Sequence, residues 1–216
     1  MIMKKLIRTQ IRITLLLVLL VSLSACRVNY GGSQTSAKPV IYLYPEEETE
    51  VAVMLDYDGI LTTTYPAYGD GWRVLAQPDG TLTNLADGRE YSYLFWEGET
   101  GTVYDFSKGF VVPGEDTAAF LQEALAALGL TAREYNEFIV YWLPKMEGNP
   151  YNPISFQGDD YTDSAVLTID PAPDSLLRVF MAWKALEEPI DVEPQILEPF
   201  QREGFTVVEW GGTKVN

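Results

Sequence analysis

The sequence predicts an α+β fold that is predominantly antiparallel β, a sandwich or meander, with a central excursion of one to two helices. Short segments rich in β-branched and aromatic residues recur along the chain, and Asp-Gly pairs separate those of the first half. A turn every roughly 8 to 12 residues is typical of antiparallel sheets. One segment in the middle instead places apolar residues at helical spacing. We see no internal repeat or linker in residues 38–216, which therefore read as one β-rich domain.

The first half of the domain is predicted to consist of strands joined by tight turns. Asp-Gly suits hairpin turns because both central positions tolerate positive φ. The predicted strands are 40–44, 51–55, 61–65, 72–76 and 91–96, and Asp-Gly pairs begin at Asp58, Asp70, Asp79 and Asp87.

The middle and the second half are predicted to hold two helices and five further strands. An apolar stripe over 116–128 favours a helix that ends at Gly129. A second helix should begin at Thr131, with Glu134 completing a capping box. The later predicted strands are 138–143, 154–157, 165–169, 177–183 and 205–210.

Residues 1–25 read as a lipoprotein signal peptide. Four basic residues and no acidic one precede the apolar run 13–20, which is shorter than the roughly 20 residues of a membrane span. Residues 23–26, Leu-Ser-Ala-Cys, resemble the lipobox of bacterial lipoproteins, which implies that Cys26 begins the mature chain and carries diacylglycerol on its sulfur. A permanent anchor helix, and a plain signal peptide that leaves a free thiol, are the alternatives. Residues 26–37 read as the lipidated cysteine and a flexible tether to the membrane, outside the cytoplasm.

The predicted mature chain is strongly acidic. Four of the 15 Lys and Arg lie in residues 1–25, so 11 basic residues stand against 31 Asp and Glu, a net charge of −20. Such a charge repels nucleic acids and anionic lipid headgroups, so we expect no nucleic-acid partner. Solubility is the simpler explanation of the acidity.

Neither histidine nor, after acylation of Cys26, a free cysteine thiol is available for catalysis or metal binding. The chain has no histidine, which excludes Ser-His-Asp triads and His-ligated metals. Its one cysteine, once acylated, offers neither a thiol nucleophile nor a disulfide. Carboxylate acid–base catalysis and binding of a hard cation through oxygen remain open, as does Ser-Lys acyl transfer in principle, but we see no Ser-x-x-Lys at a convincing helix start.

Four segments resemble the recurrent segments of an uncharacterised bacterial family of secreted or lipid-anchored proteins. They are KPVIYLYPEEETEV, REYSYLFWEG, NEFIVYWLPKMEGNPY and FTVVEWGG, and they span nearly the whole predicted mature chain. The resemblance implies a single extracytoplasmic domain. It transfers no catalytic residue, because the family has no established activity.

Glu97 and Glu209 are the candidate catalytic residues. Each follows or precedes a tryptophan, and alternation places each on a face shared with apolar side chains near a strand end. A carboxyl group on poorly solvated surface has a raised pKa and can act as a general acid, whereas a better solvated carboxylate stays ionised and can act as nucleophile or base. Glycoside hydrolysis requires one carboxyl group in each of these roles. Pairing with arginine, or simple exposure at a strand end, is the structural alternative.

Aromatic recognition is the second hypothesis, because tyrosine and tryptophan are favoured where one end is apolar and the other wet. The candidate ligand-binding residues are Trp96, Trp210, Tyr93 and Tyr151, within a larger surplus that includes Tyr42, Tyr44, Tyr65, Tyr68, Tyr91, Tyr141, Trp142 and Tyr161. Packing in the core and at its rim is the alternative for all of them.

No cofactor is expected, apart from a weak calcium candidate at Asp159, Asp160 and Asp163. These residues lack the distal glutamate of the Ca²⁺ loop pattern, so a solvated acidic loop is the alternative.

The sequence therefore favours a lipid-anchored extracytoplasmic domain that binds a cell-surface glycan or an envelope protein. A glycoside hydrolase using Glu97 and Glu209 and a structural envelope protein without small ligand are the alternatives.

Overall fold

The computed structural model describes residues 34–215, and the first and the last elements in this range are strands. The strands are β1 (Gln34–Tyr44), β2 (Thr49–Tyr57), β3 (Gly59–Tyr65), β4 (Trp72–Ala76), β5 (Leu82–Asn84), β6 (Glu90–Tyr91), β7 (Leu94–Thr100), β8 (Lys108–Pro113), β9 (Tyr151–Gln157), β10 (Ala165–Asp170), β11 (Ser175–Trp183), β12 (Glu193–Pro194) and β13 (Thr206–Lys214). The helices are α1 (Thr117–Ala127), α2 (Ala132–Met146) and the single turn α3 (Asp159–Thr162), and a 3-10 turn (Gly114–Asp116) precedes α1. Strands make up 46% and helices 18% of the structure, which confirms the predicted α+β class with a mainly antiparallel β content.

Within residues 34–215 the strands form two sheets. The larger sheet has eight strands in the order β12-β8-β9-β11-β13-β1-β7-β3, and the smaller has five in the order β10-β2-β4-β5-β6. Most neighbours are antiparallel, but β11 and β13, and the short β12 and its neighbour β8, run parallel. Parallel neighbours cannot be joined by a tight turn, which accounts for the long connection 184–205 between β11 and β13, within which β12 lies.

Strand β1 is buried on both faces near the middle of the large sheet. Ile41 and Leu43 pack in the cluster between the two sheets. Val40 and Tyr42 point the other way, into a cluster that also contains residues of α1 and α2. The continuous apolar run of the KPVIYLYP segment follows from this burial, because a strand covered on both faces does not alternate with polar residues.

The described part of the chain is thus built in three layers. The helices α1 and α2 cover one face of the large sheet, and the small sheet covers the other. The helix-side cluster includes Leu121, Phe138, Trp142 and Trp210. The inter-sheet cluster includes Trp72, Trp96, Tyr161, Phe180 and Val207.

The predicted strand 138–143 is wrong, because these residues lie inside α2. Phe138, Trp142 and Met146 are buried at a spacing of four residues, which is the spacing of one helix face. The aromatic and β-branched residues of this segment have a local preference for strands, but packing of the helix face outweighs it. The start of α2 is confirmed: the backbone N–H of Thr131 donates to Glu134 Oε2 at 2.7 Å within a capping box.

The Asp-Gly pairs have two different roles. The pairs at Asp79 and Asp87 turn the hairpins β4–β5 and β5–β6, as predicted. The pair at Asp58 is not a hairpin turn, because β2 belongs to the small sheet and β3 to the large one. A Cβ on Gly59 would lie 2.2 Å from the backbone oxygen of Glu99 on β7, so the close approach of β3 to its neighbour in the large sheet requires glycine there.

The predicted tether overlaps the first strand. Residues Gln34, Thr35 and Ser36 pair with β7, and Ser36 is buried, so the strand begins before the predicted domain boundary at residue 38. The signal peptide and Cys26 lie outside the described residues. Among residues 34–215, no helix has the length and apolar character needed to cross a membrane.

Candidate functional site

The structure does not bring Glu97 and Glu209 together. Trp96 precedes Glu97 on β7, and its indole N–H donates to Glu209 Oε1 at 3.1 Å, within the inter-sheet core. Consecutive strand residues point to opposite faces, so Glu97 faces away from Glu209, on the helix side of the large sheet. The two carboxylates share no cleft, and the spacing that glycoside hydrolysis requires is not met by this pair.

Glu209 is instead part of a buried ion pair. Its Oε2 accepts a hydrogen bond at 2.7 Å from Nε of Arg178, which lies directly opposite on the parallel neighbour β11. The two side chains are 0% and 8% exposed, so neither is open to a substrate. Burial of this kind requires a charged partner, and Arg178 supplies it. Glu209 therefore holds the core together rather than facing solvent.

Glu97 stabilises a bulge in the KPVIYLYP strand. Lys38 has a φ of 60° at the point where the pairing register of β1 shifts, and its backbone N–H donates to Glu97 Oε1 at 3.1 Å. Burial, and then the negative charge of Glu97, raise the pKa of Tyr141 on α2. Glu97 thus connects β1, β7 and α2. Its carboxylate accepts the backbone N–H of Lys38, which helps to hold the strained backbone conformation at this residue.

Trp96 and Trp210 are core residues, which corrects their predicted role in ligand binding. Both are 0% exposed. Trp96 packs edge to face on Tyr57 at 4.8 Å between ring centroids, and Trp210 packs on Phe138 of α2 at 5.2 Å. Their faces are covered by the protein itself, so they are not available to stack on a ligand.

Tyr151 and Tyr93 are both half-buried, but they lie in different regions of the large sheet. Tyr151 begins β9, where its backbone pairs with Leu186, and Tyr93 immediately precedes β7. Three strands stand between β9 and β7 in the sheet. Neighbouring strands are about 4.8 Å apart, so this separation is about 19 Å, and the two tyrosines belong to different surfaces.

A cleft beside Tyr93 is the candidate site that contains one of the predicted ligand-binding residues. It has a volume of about 390 Å³ and lies where the chain passes from β6 in the small sheet to β7 in the large one. We call it the tyrosine cleft; its lining residues are Tyr65, Thr81, Glu90, Tyr91, Ser92 and Tyr93.

Tyr65, at the end of β3, presents an exposed aromatic surface in this cleft. Its side chain is held edge to face by Tyr91, with 5.0 Å between ring centroids and 70° between ring planes, yet Tyr65 remains 60% exposed. An aromatic ring that is fixed by its neighbour but open to water can bind a ligand without first losing conformational freedom.

The hydroxyl of Tyr91 is already engaged by the protein. It donates to Asp87 Oδ2 at 2.6 Å. This hydrogen bond raises the pKa of Tyr91 to about 12 and lowers the pKa of the Asp87 carboxyl. Tyr91 is therefore neutral at physiological pH, and its donor hydrogen is used within the loop that supports the cleft.

Tyr93 is anchored from the side of β1. The ammonium group of Lys38 lies 4.8 Å from the centroid of the Tyr93 ring and donates to its hydroxyl at 3.3 Å. Tyr42 packs edge to face on the same ring at 5.5 Å. The wall of the cleft is thus connected to the buried KPVIYLYP strand.

Sequence reasoning included Tyr65 and Tyr91 in the tyrosine surplus, but it did not select them as site residues, and it missed Glu90. No local pattern distinguishes them, because three separate segments meet only when the two sheets are stacked. The Asp-Gly pair at Asp87 was the one usable signal, since it predicts the turn that returns the chain to Glu90 and Tyr91.

The calcium candidates lie at the short helix α3. Asp159 and Asp160 are in its first turn, and Asp163 directly follows it. Within residues 34–215, no group of three or more carboxylate, cysteine or histidine side chains is placed to hold a metal ion.

Comparison with known proteins identifies one relative without a described activity. No family model and no solved structure matches the chain. A protein described as uncharacterized, from the bglA 3′ region of Butyrivibrio fibrisolvens, is 46% identical to the chain over 76 residues. This match covers 32% of the chain and 77% of the relative. The chain therefore belongs to the same family as this uncharacterized Butyrivibrio fibrisolvens protein.

Proposed function

We propose that the protein is a lipid-anchored extracytoplasmic domain that binds a saccharide in the tyrosine cleft. The observation that carries the proposal is the exposed side chain of Tyr65, which packs edge to face on Tyr91 beside polar groups of the same cleft. The hydrolase hypothesis is not carried further, because Glu97 and Glu209 lie on opposite faces of the sheet.

A sugar matches the cleft in chemistry. One side of a pyranose ring presents C–H groups, which pack on an aromatic face, and its edge presents hydroxyls. The cleft offers the ring of Tyr65 for the first, and the Glu90 carboxylate with the hydroxyls of Thr81 and Ser92 for the second.

The anchor places this cleft outside the cytoplasm. Residues 1–25 and Cys26 carry this part of the proposal, through the basic start, the short apolar run and the lipobox-like Leu-Ser-Ala-Cys. A domain that is held at the membrane by an acyl chain and has no histidine chemistry is suited to capturing a ligand at the cell surface.

The anchor predicts the behaviour of Cys26→Ser. This substitution removes the sulfur that accepts the diacylglycerol, so we expect the chain to lose incorporated radiolabelled fatty acid and to leave the detergent-rich phase on Triton X-114 partitioning. Ser22→Ala, which lies before the Leu-Ser-Ala-Cys segment, is the control and should partition as the wild type does. Unchanged labelling of Cys26→Ser would show that this residue is not the lipid attachment site.

The cleft predicts a loss of binding in Tyr65→Ala. Removing an aromatic ring from the centre of a binding surface typically costs more than 1 kcal/mol, so we expect the Kd for a bound oligosaccharide to rise about tenfold, or about 1.4 kcal/mol. The measurement is isothermal titration calorimetry of the full chain in detergent against soluble β-glucan, xylan, chitin and chitosan oligosaccharides.

Two matched variants make this experiment specific. Tyr65→Phe retains the ring and should bind nearly as the wild type does. Ile60→Ala changes another exposed residue of β3 that does not line the cleft, and it should leave the Kd unchanged. Binding that survives Tyr65→Ala intact places the ligand elsewhere, and the absence of heat with every oligosaccharide contradicts the proposal.

A further inference from the structure

We infer that the tyrosine cleft selects saccharides that carry a free amino group, through attraction of the ammonium to Glu90 and to the tyrosine rings. This inference rests on the proposed saccharide-binding function and adds the charge of the ligand.

The first support is the charge of the cleft itself. Among its described lining residues, Glu90 is the one acidic side chain, and none of them is basic. Glu90 is exposed, and no ion pair to it is formed within residues 34–215 at a distance of 4.0 Å or less. A neutral sugar gains only hydrogen bonds from such a carboxylate, whereas an ammonium also gains charge attraction.

The second support is the aromatic wall. The face of a tyrosine ring carries negative electrostatic potential and attracts cations within about 6 Å of its centroid. The protein itself uses this property at the Tyr93 ring: the Lys38 ammonium, which does not line the cleft, lies 4.8 Å from the Tyr93 centroid and 5.1 Å from that of Phe95. Tyr65 lies on the same cleft with its ring 60% exposed, and it offers an equivalent surface to a cation from outside.

The third support is the field of the whole chain. Its formal net charge of −16, or −20 after loss of residues 1–25, raises the local concentration of cationic ligands and lowers that of anionic ones. Uronic acids and phosphate-bearing glycans are therefore disfavoured. Acetylation of the amino group removes its charge, so the N-acetylated form of the same sugar isolates the electrostatic contribution.

The test compares chitosan and chitin oligosaccharides of equal length by calorimetry with the full chain. At mildly acidic pH and low ionic strength, we expect the glucosamine oligomer to bind about fivefold more tightly than its N-acetylated counterpart. In Glu90→Gln this preference should fall below about twofold, because both oligomers lose the hydrogen bonds of the carboxylate but only the glucosamine oligomer also loses the charge attraction. Raising the salt concentration should reduce the preference of the wild type in the same direction, because exposed charges are screened.

Glu123→Gln is the matched control. It removes the same charge from an exposed position on α1, outside the cleft, and should keep the wild-type preference. Equal Kd values for the two oligomers in the wild type would overturn the inference and leave the saccharide proposal standing. A preference that Glu90→Gln does not reduce would also overturn it, since the charge would then be recognised elsewhere. Failure to bind either oligomer or any other saccharide would overturn both.

Discussion

Replacing Arg178 by methionine should lower the free energy of unfolding by about 3 to 5 kcal/mol, the cost of leaving one charge of a buried pair without its partner. The Glu209 side chain is 0% exposed and would keep its hydrogen bond from Trp96, but it would lose the guanidinium at 2.7 Å. The loss is large against the 5 to 15 kcal/mol of a typical domain. Urea denaturation of the full chain in detergent, followed by circular dichroism, measures it.

A double variant separates the charge from the packing. Arg178→Met combined with Glu209→Gln removes both charges and retains an acceptor for the Trp96 indole N–H. We expect it to recover most of the lost stability, because a neutral group no longer has to be buried as an ion. If the double variant were as unstable as Arg178→Met alone, the loss would come from packing and not from the unpaired carboxylate.

Trp210→Ala should cost about 3 to 5 kcal/mol, because removal of a buried aromatic side chain leaves a cavity as well as losing its transfer free energy. Trp210 is 0% exposed and packs against Phe138, so its removal takes away a packing contact between β13 and α2. The same denaturation experiment measures the change. The result also distinguishes the core role from the predicted ligand role, since a surface aromatic would affect binding and leave stability nearly unchanged.

Ile60→Ala is the reference for this comparison. Ile60 is 71% exposed on the edge strand β3, and substitutions at such positions usually change stability by less than about 0.5 kcal/mol. A similarly small effect of Trp210→Ala would contradict its assignment to the core and return it to the candidate ligand-binding residues.

Several elements of the fold were predictable because their signals are local. The capping box at Thr131, the stop at Gly129 and the hairpin turns at Asp79 and Asp87 depend on residues within one turn of each other. Alternation also assigned the correct faces to Glu97 and Glu209, since Glu209 lies with Val207 and Glu97 lies with Phe95. These features need no knowledge of distant parts of the chain.

The errors arose where distant contacts outweighed local preference. Residues 138–143 have strand-like composition, but they form a helix because Phe138 and Trp142 pack on the large sheet. The Asp58 turn has the hairpin pattern, but stacking of two sheets sends its flanking strands apart. The burial of Trp96 and Trp210, which are both 0% exposed, was likewise not predicted, because it depends on packing against distant segments of the chain.

Composition and short-range periodicity were therefore enough to predict the fold class, most of the strands, the acidic charge and the residue types available for chemistry. The pairing of carboxylates and the exposure of aromatic side chains depend instead on contacts between distant segments. Glu209 pairs with Arg178 across two parallel strands, and Tyr65 lies beside Tyr91 and Glu90 of the other sheet. These contacts depend on strand order and on the stacking of the sheets, and neither can be predicted from a local sequence pattern.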